Sequence, residues 1–313
     1  MKILVLGGGG FIGSHLCDAL LSAGHQVRVF EYPGIKPLCP PESLRQIEWV
    51  EGDFTNPVQV DNAVRDCEIV YHLVSTTLPK SSNDNPVYDV EANVVATIQM
   101  LQSACRHRIN KIIFASSGGT VYGIPQQIPI AEEHPTNPIT SYGIGKLAIE
   151  KYLHLFYTLH GLEYCILRLA NPYGERQRAA ASQGAVAVFL NKALLGETIE
   201  IWGDGSVIRD YIYIADVISA MLKAVPYQGE QRIFNVGAGL GVSLNQMLAD
   251  MENILGKTVN RVHLPSRNFD VPTNVLDIRR IQQAFDWSPQ TDFEAGIALT
   301  LSRVGKRPSQ SRD

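Results

Sequence analysis

Short apolar runs alternate with amphipathic stretches along most of this chain. Lys2-Ile-Leu-Val-Leu6 is followed by glycines and then by Ser14-His-Leu-Cys-Asp-Ala-Leu-Leu21, whose apolar positions recur at helical spacing. Gln26-Val-Arg-Val-Phe-Glu31, Ile47 to Phe54, Glu68 to Ser75 and Lys111-Ile-Ile-Phe-Ala-Ser-Ser117 repeat the apolar run. The second and third of these read as buried parallel strands. Strand alternating with helix over residues 1–171 predicts an α/β fold, a Rossmann-type doubly wound parallel sheet.

After Asn171 the pattern changes. An amphipathic helix from Val186 and a strand and turn from Thr198 suit a smaller, sequence-discontinuous substrate-binding lobe over 172–206 and 240–300. The chain is expected to return to the large domain near 207–220 and 232–239, and 305–313 reads as a frayed tail. Pro-rich Tyr32 to Pro41 reads as a surface loop.

The glycines after the first strand carry the first chemistry. In Gly7-Gly-Gly-Gly10-Phe11-Ile12-Gly13 the residues Gly7, Gly10 and Gly13 stand three apart between a strand and a helix. A tight turn, a close approach to a pyrophosphate and close helix–strand packing each need a position without Cβ. The amides of the helix start then face the phosphates. Glu31 ends the next strand, where a carboxylate can accept bonds from both ribose hydroxyls and repel a 2'-phosphate, which favours NAD over NADP. Asp53 and Phe54, at the next strand end, are an acid and an aromatic able to flank an adenine.

Further along, Ser116 and Ser117 put two hydroxyls at the carboxyl end of a strand, the edge where open α/β sheets bind ligands. Tyr142 and Lys146 lie four apart, on one face of a helix. An ammonium there favours phenolate over phenol and is expected to lower the tyrosine pKa, which makes the pair proton-transfer machinery.

These motifs occur together with His72-Leu73, Asn93-Val-Val-Ala-Thr97, Val121-Tyr-Gly, Arg168-Leu-Ala-Asn171-Pro-Tyr-Gly and Arg209-Asp-Tyr-Ile-Tyr-Ile-Ala-Asp216. The chain thereby resembles the extended short-chain dehydrogenase/reductases of the NAD-dependent nucleotide-sugar epimerase/dehydratase family, to which the UDP-glucose 4-epimerases belong, from Met1 to about Thr300. The resemblance implies that Tyr142 is the catalytic base, that Lys146 holds the nicotinamide ribose and that Ser117 bonds the reacting sugar hydroxyl. Reading back from Val121-Tyr-Gly shifts that register by one, to Ser116. Leu73, Asn93 and Ser116 fall among the cofactor contacts, beside Gly7 to Gly13, Glu31, Asp53 and Phe54. Asn171 and Arg209 would grip the nucleotide diphosphate, with Arg267 and Asp270 closing over the nucleotide. Relatives restricted to non-acetylated hexoses carry a tyrosine where this chain has Asn274, so room for an acetamido group is implied. The resemblance also implies a homodimer, with the helix Val87 to Cys105 and the Tyr142 helix pairing across a twofold axis as in relatives.

One departure concerns the catalytic helix. Gly145 stands where many relatives have serine, and with Gly143 it costs helix stability by about 1 kcal/mol per glycine. Close approach of another group is one explanation.

Composition narrows the class. The 313 residues are 45% hydrophobic and 19% charged, enough for a large core, and the net charge of −4 supplies no basic stripe for nucleic acid. No apolar run reaches bilayer-spanning length, so no membrane is expected. The five cysteines lack metal-ligand spacing and read as reduced thiols of a cytoplasmic protein, with no metal site. Within the family, Gly118 and Gly119 follow Ser117 where a dehydratase needs an acid. A deoxysugar epimerase/reductase would add a cysteine near the base and prefer NADP. What remains is a 4-epimerase acting on a UDP-hexose or UDP-N-acetylhexosamine. A 4-ketoreductase or dehydrogenase with exchanging cofactor is the alternative, and a non-catalytic cofactor-sensing module a more distant one, since Tyr142 and Lys146 are intact.

Overall fold

The computed structural model describes residues 1–77, 81–178, 184–266 and 271–304. The expected tail 305–313 lies outside the described residues.

Seven strands form one parallel sheet: β1 (Lys2–Leu6), β2 (Gln26–Glu31), β3 (Glu48–Glu51), β4 (Ile69–His72), β5 (Lys111–Ser117), β6 (Glu163–Leu169) and, later in the chain, Ile233–Val236. Their order from one edge is Ile233–Val236, β6, β5, β4, β1, β2, β3. Every pairing is parallel. This is the expected doubly wound arrangement. The strand order reverses between β1 and β4, which opens a crevice at the carboxyl ends of those strands.

Both faces of the sheet are covered, and β1 shows why its sequence is an unbroken apolar run. Ile3 and Val5 belong to one buried cluster, Leu4 and Leu6 to the other. The first cluster lies under α1 (Phe11–Ser22), which buries Gly13, Leu16, Cys17 and Leu20 at helical spacing. After the short α2 (Pro41–Leu44), the second face is covered by α3 (Pro57–Val64), a helical rod and α6 (Ser141–His160). The rod was expected as one helix from Val87 to Cys105. It is built from α4 (Pro86–Asp89), a π-helical turn over Val90–Val95 and α5 (Ala96–Arg106). The helix α6 (Ser141–His160) starts where the Thr140 hydroxyl accepts the Gly143 N–H at 3.1 Å.

One strand differs from its expected burial. β3 has exposed ends, Glu48 and Glu51, and only half-buried residues between them, because it is the sheet edge, paired on one side only. Its apolar pattern signalled a strand but not its rank in the sheet.

Beyond β6 the chain turns away. β7 (Asn171–Tyr173) begins two residues after β6 ends, and β9 (Ile208–Tyr213) pairs with it in parallel. Together with β11 (Gly241–Ser243) and β13 (Thr273–Asn274), these make a separate four-stranded sheet. The segment from Arg209 to Val217, expected to return to the large domain, therefore adds no strand there; α8 (Ile214–Ala224) alone rests on it, against α1. Ile233–Val236, which is β10, does join the large sheet beside β6. Between these segments lie α7 (Ala185–Leu195), a two-stranded pair of β8 (Ile199–Trp202) with β12 (Arg261–Leu264), and α9 (Leu244–Leu255). The helices α10 (Arg279–Phe285) and α11 (Phe293–Val304) complete the chain.

Candidate active site

A cleft of about 600 Å³ opens at the carboxyl ends of β1, β4, β5 and β6, where the strand order reverses. Gly7, Gly10, Phe11, Ile12 and Gly13 line one wall. Gly7 has φ +84°, and a Cβ on Gly13 would lie 2.2 Å from the Gly7 carbonyl oxygen, so the turn admits no larger residue at either place. Gly10 caps α1 without any side-chain bond, which leaves the first amides of the helix aimed into the cleft with no acceptor from a capping side chain. A diphosphate suits that cradle. NAD, which the sequence favours, fits these residues: the amides of Phe11 and Ile12 would hold its phosphates.

Glu31 sits beside the same loop. One carboxylate oxygen accepts the Gly9 N–H and the other the Tyr32 N–H, each at 3.0 Å, so the residue fixes the loop's shape as well as offering its remaining lone pairs outward. Asp53 and Phe54 do not line the cleft. Asp53 accepts bonds from the Thr55 N–H and hydroxyl at 2.8 and 2.7 Å. Phe54 is buried against His72, so its ring is not available to flank an adenine. The aromatic that approaches the glycine loop is Trp49 on β3, whose ring edge lies 2.9 Å from where a Gly9 Cβ would stand. Leu73 lines the cleft. Asn93 is buried behind it: its carbonyl accepts the Thr76 N–H at 3.0 Å, and its amide donates to Asp89 and Thr77.

Tyr142, Lys146, Ser117 and Ser116 reach the cleft from the opposite side of the crevice. Adjacent strand residues point to opposite faces, and the two serines differ accordingly. Ser116 is buried and donates to a Glu150 carboxylate oxygen at 2.5 Å. Ser117 is half-buried at the cleft and makes no side-chain hydrogen bond among the described residues. The Lys146 ammonium donates to the Ala115 carbonyl at 2.9 Å and stands over the Phe114 and Tyr142 rings, 4.7 and 5.6 Å from their centroids.

The expected lowering of the tyrosine pKa does not occur in the protein alone. Burial, with the Asp89 carboxylate adding to it, pushes the Tyr142 phenol up to about 12. Burial also brings Lys146 down to about 8, against the pull of Glu150 and Asp89. Spacing along a helix places the cation beside the ring, but desolvation is the largest influence on both groups.

The far wall belongs to the small sheet. Asn171 and Arg209 line the cleft and also a neighbouring hollow of about 240 Å³ with Tyr211, Val207 and Leu244. The Asn171 amide donates to the Asp210 carbonyl at 2.9 Å, and Arg209 donates to the carbonyls of Ile208 and Val271. Arg267 and Asp270 lie outside the described residues. Asn274 does not line the cleft: it is buried, and its amide donates to the Gly118 carbonyl at 3.3 Å, while its own carbonyl oxygen has no partner among the described residues.

Of the two unusual glycines, only Gly143 is sterically required. A Cβ there would meet Pro138 and Thr120 at 2.9 and 3.0 Å, whereas at Gly145 nothing stands closer than 3.6 Å. Close approach therefore explains the first glycine and not the second.

Several groups at the site were not singled out from sequence. Glu150 and Arg168 form a bidentate buried pair at 2.6 and 3.0 Å, and Arg168 continues to Tyr122 at 2.9 Å and Tyr122 to Asn235 at 2.7 Å. This network ties α6, the helix of Tyr142 and Lys146, to β5, β6 and β10. Asp89 is the other; its signal was a lone acid in an otherwise apolar turn. A larger hollow of about 920 Å³ opens at the amino-terminal edge of the sheet, around Lys111, Arg108 and His160. It is remote from this chemistry. Among the described residues no cluster of three or more metal-ligating side chains occurs, and no helix is long and apolar enough to cross a membrane.

The profile described as the NAD dependent epimerase/dehydratase family matches residues 3–237. The UDP-glucose 4-epimerase of Mycolicibacterium smegmatis is 34% identical over 306 residues, covering 96% of this chain and 97% of that protein. A UDP-glucose 4-epimerase of Thermotoga maritima solved with UDP-glucose superposes with a TM-score of 0.92 at 34% identity, covering 98% of this chain and 99% of the other. The Thermus thermophilus UDP-glucose 4-epimerase in complex with NAD gives 0.89 at 30% identity, with the same coverage.

Proposed function

The chain belongs to the NAD-dependent epimerase/dehydratase family, and on that premise we propose that it is a UDP-sugar 4-epimerase, acting on a UDP-hexose or UDP-N-acetylhexosamine. The observation that carries this reading is the convergence of Tyr142, Lys146 and Ser117 on one cleft, between an uncapped helix start and the Asn171–Arg209 wall.

What bound NAD supplies is reversible hydride exchange at C4 of the sugar, together with the positive charge of its oxidised ring. Tyr142 takes the 4-hydroxyl proton during oxidation and returns it during reduction. Ser117 donates to or accepts from the same oxygen and so fixes it against the phenol. Lys146, anchored on the Ala115 carbonyl, holds a cation beside Tyr142 and within reach of a ribose. Arg209 and Asn171 hold the diphosphate, so the sugar is tethered at one end and free to turn in the cleft. Gly118, Gly119 and Thr120 follow Ser117, so no acid stands ready for elimination. Asn274, behind Gly118, would set how much room remains beside the sugar.

A homodimer accompanies this reading. Val87, Tyr88, Val90 and Val95 on the rod and Ile144, Leu155 and Leu159 on α6 are exposed apolar residues on adjoining helices, and pairing across a twofold axis would cover them.

The test is a proton NMR assay of the pure protein with UDP-glucose, UDP-galactose and UDP-N-acetylglucosamine, without added reductant. Interconversion at C4 is expected. Oxidation of these sugars only when NAD or NADP is added, with one equivalent of NADH or NADPH formed per 4-keto sugar, would instead mark a ketoreductase or dehydrogenase.

A further inference from the structure

Asp89 lies at the end of α4, 1% exposed, and forms no ion pair among the described residues. Its neighbours are all donors. The Thr77 hydroxyl and the Asn93 amide reach one carboxylate oxygen, and the Ser141 hydroxyl reaches the other at 2.7 Å. Such a set suits an acceptor-only carboxylate. The group shares a small gap with Tyr142, Lys146, Gly145 and Asn93 and does not itself line the cleft. Three segments thus spend polar contacts on one buried negative charge that touches no substrate-facing surface.

We propose that Asp89 is a positioning residue for proton transfer: a fixed buried charge behind Tyr142 and Lys146 that sets the basicity of the phenolate and keeps the lysine ammonium charged. The proposal deepens the epimerase reading and rests on Tyr142 being its base. Burial lowers the Lys146 pKa; Glu150 and Asp89 oppose that. Burial and Asp89 act together on Tyr142 in the other direction, holding the phenol protonated. The remaining groups facing the pair are accounted for. Glu150 on α6 is committed to Arg168 and Ser116, and His72 on β4 is held neutral by burial, down to about 3, with Lys146 adding to the effect.

A negative charge beside a phenol raises its pKa, so removing it moves phenolate formation to lower pH, by about one unit for a neighbour in the same pocket. Asp89→Asn keeps the shape and removes the charge. Gly145→Ser is the second variant: a Cβ at position 145 fits, 3.8 Å from an Asp89 carboxylate oxygen, and its hydroxyl would partly neutralise that oxygen. The readouts are ultraviolet titration of the Tyr142 phenolate, taken as the difference from the same protein carrying Tyr142→Phe, and the acid limb of kcat/KM. Both are expected to move down in pH in Asp89→Asn, and by less in Gly145→Ser. Melting temperature is followed in parallel, because a purely structural role would lower it and leave the titration in place. An unmoved titration and limb in a folded Asp89→Asn overturns the proposal; if that variant does not fold, an unmoved Gly145→Ser does so. Retained turnover in Tyr142→Phe alone would instead remove the base assignment on which the proposal stands.

Discussion

Ser116 and Ser117 are adjacent in the chain and belong to different chemistry: one hydroxyl is bonded to buried Glu150, the other stands at the cleft. Ser117→Ala is expected to lower kcat about a hundredfold with little change in melting temperature. Ser116→Ala should do the reverse, costing about 1 kcal/mol of stability by removing one donor from Glu150, with turnover nearly intact. Steady-state kinetics and urea unfolding of the two variants decide between the registers; a larger kinetic loss in Ser116→Ala would reverse the assignment.

Tyr142→Phe should lose turnover by about three orders of magnitude or more while retaining NAD, since it deletes the proton acceptor and keeps the ring. Released NAD measured after denaturation checks the second half. Turnover within about tenfold of the unaltered protein would end Tyr142's role as base.

Glu31→Ala is expected to weaken NAD binding twice over. It removes the carboxylate that would meet the ribose hydroxyls and the acceptor that holds the Gly9 N–H. Discrimination against NADP should relax. Calorimetric titration with both cofactors reads the effect, and tighter binding of NADP by the unaltered protein would refute the ribose contact.

Asn274→Tyr tests the sugar pocket. Asn274 is buried against Gly118, so a tyrosine overfills a packed place at a cost of about 1 to 3 kcal/mol and pushes the loop after Ser117 toward the sugar. The expected result is a greater fall in kcat/KM for UDP-N-acetylglucosamine than for UDP-glucose. Equal loss on both would make Asn274 a prop of the loop and no gate.

Gly145→Ala should stabilise the protein by up to about 1 kcal/mol, because its Cβ meets only ordinary contacts and alanine is the better helix former. Gly143→Ala should destabilise it through the clash with Pro138 and Thr120. Chemical denaturation of both variants measures the contrast.

The glycine loop, β1, β2 and the Tyr142 helix were legible because each rests on local spacing: a strand of five, a turn needing no Cβ, a four-residue interval. What the sequence hid is non-local. The rank of β3 at the sheet edge depends on which strands find partners. Trp49, not the expected Phe54, is the aromatic beside the glycine loop, because Phe54 is buried in the core while Trp49 approaches Gly9. The tyrosine pKa depends on how deeply the fold buries it and on Asp89, over fifty residues away in the chain.

The π-helical turn over Val90–Val95 makes the protein's tolerance of length changes uneven. A π turn carries one residue more than an α turn, and Asp89 and Asn93 stand on and beside it. The π turn can therefore lose its extra residue and relax into a regular helix with the flanking faces kept, whereas deleting a single residue from α5 would rotate everything before it by roughly 100°. Asp89 would leave the pocket, and with it the anchor of Ser141 and Thr77. A one-residue deletion in α5 would thus behave as an active-site lesion, although nothing removed would have touched substrate, whereas the exposed loop around Gly34 has room to absorb the same change.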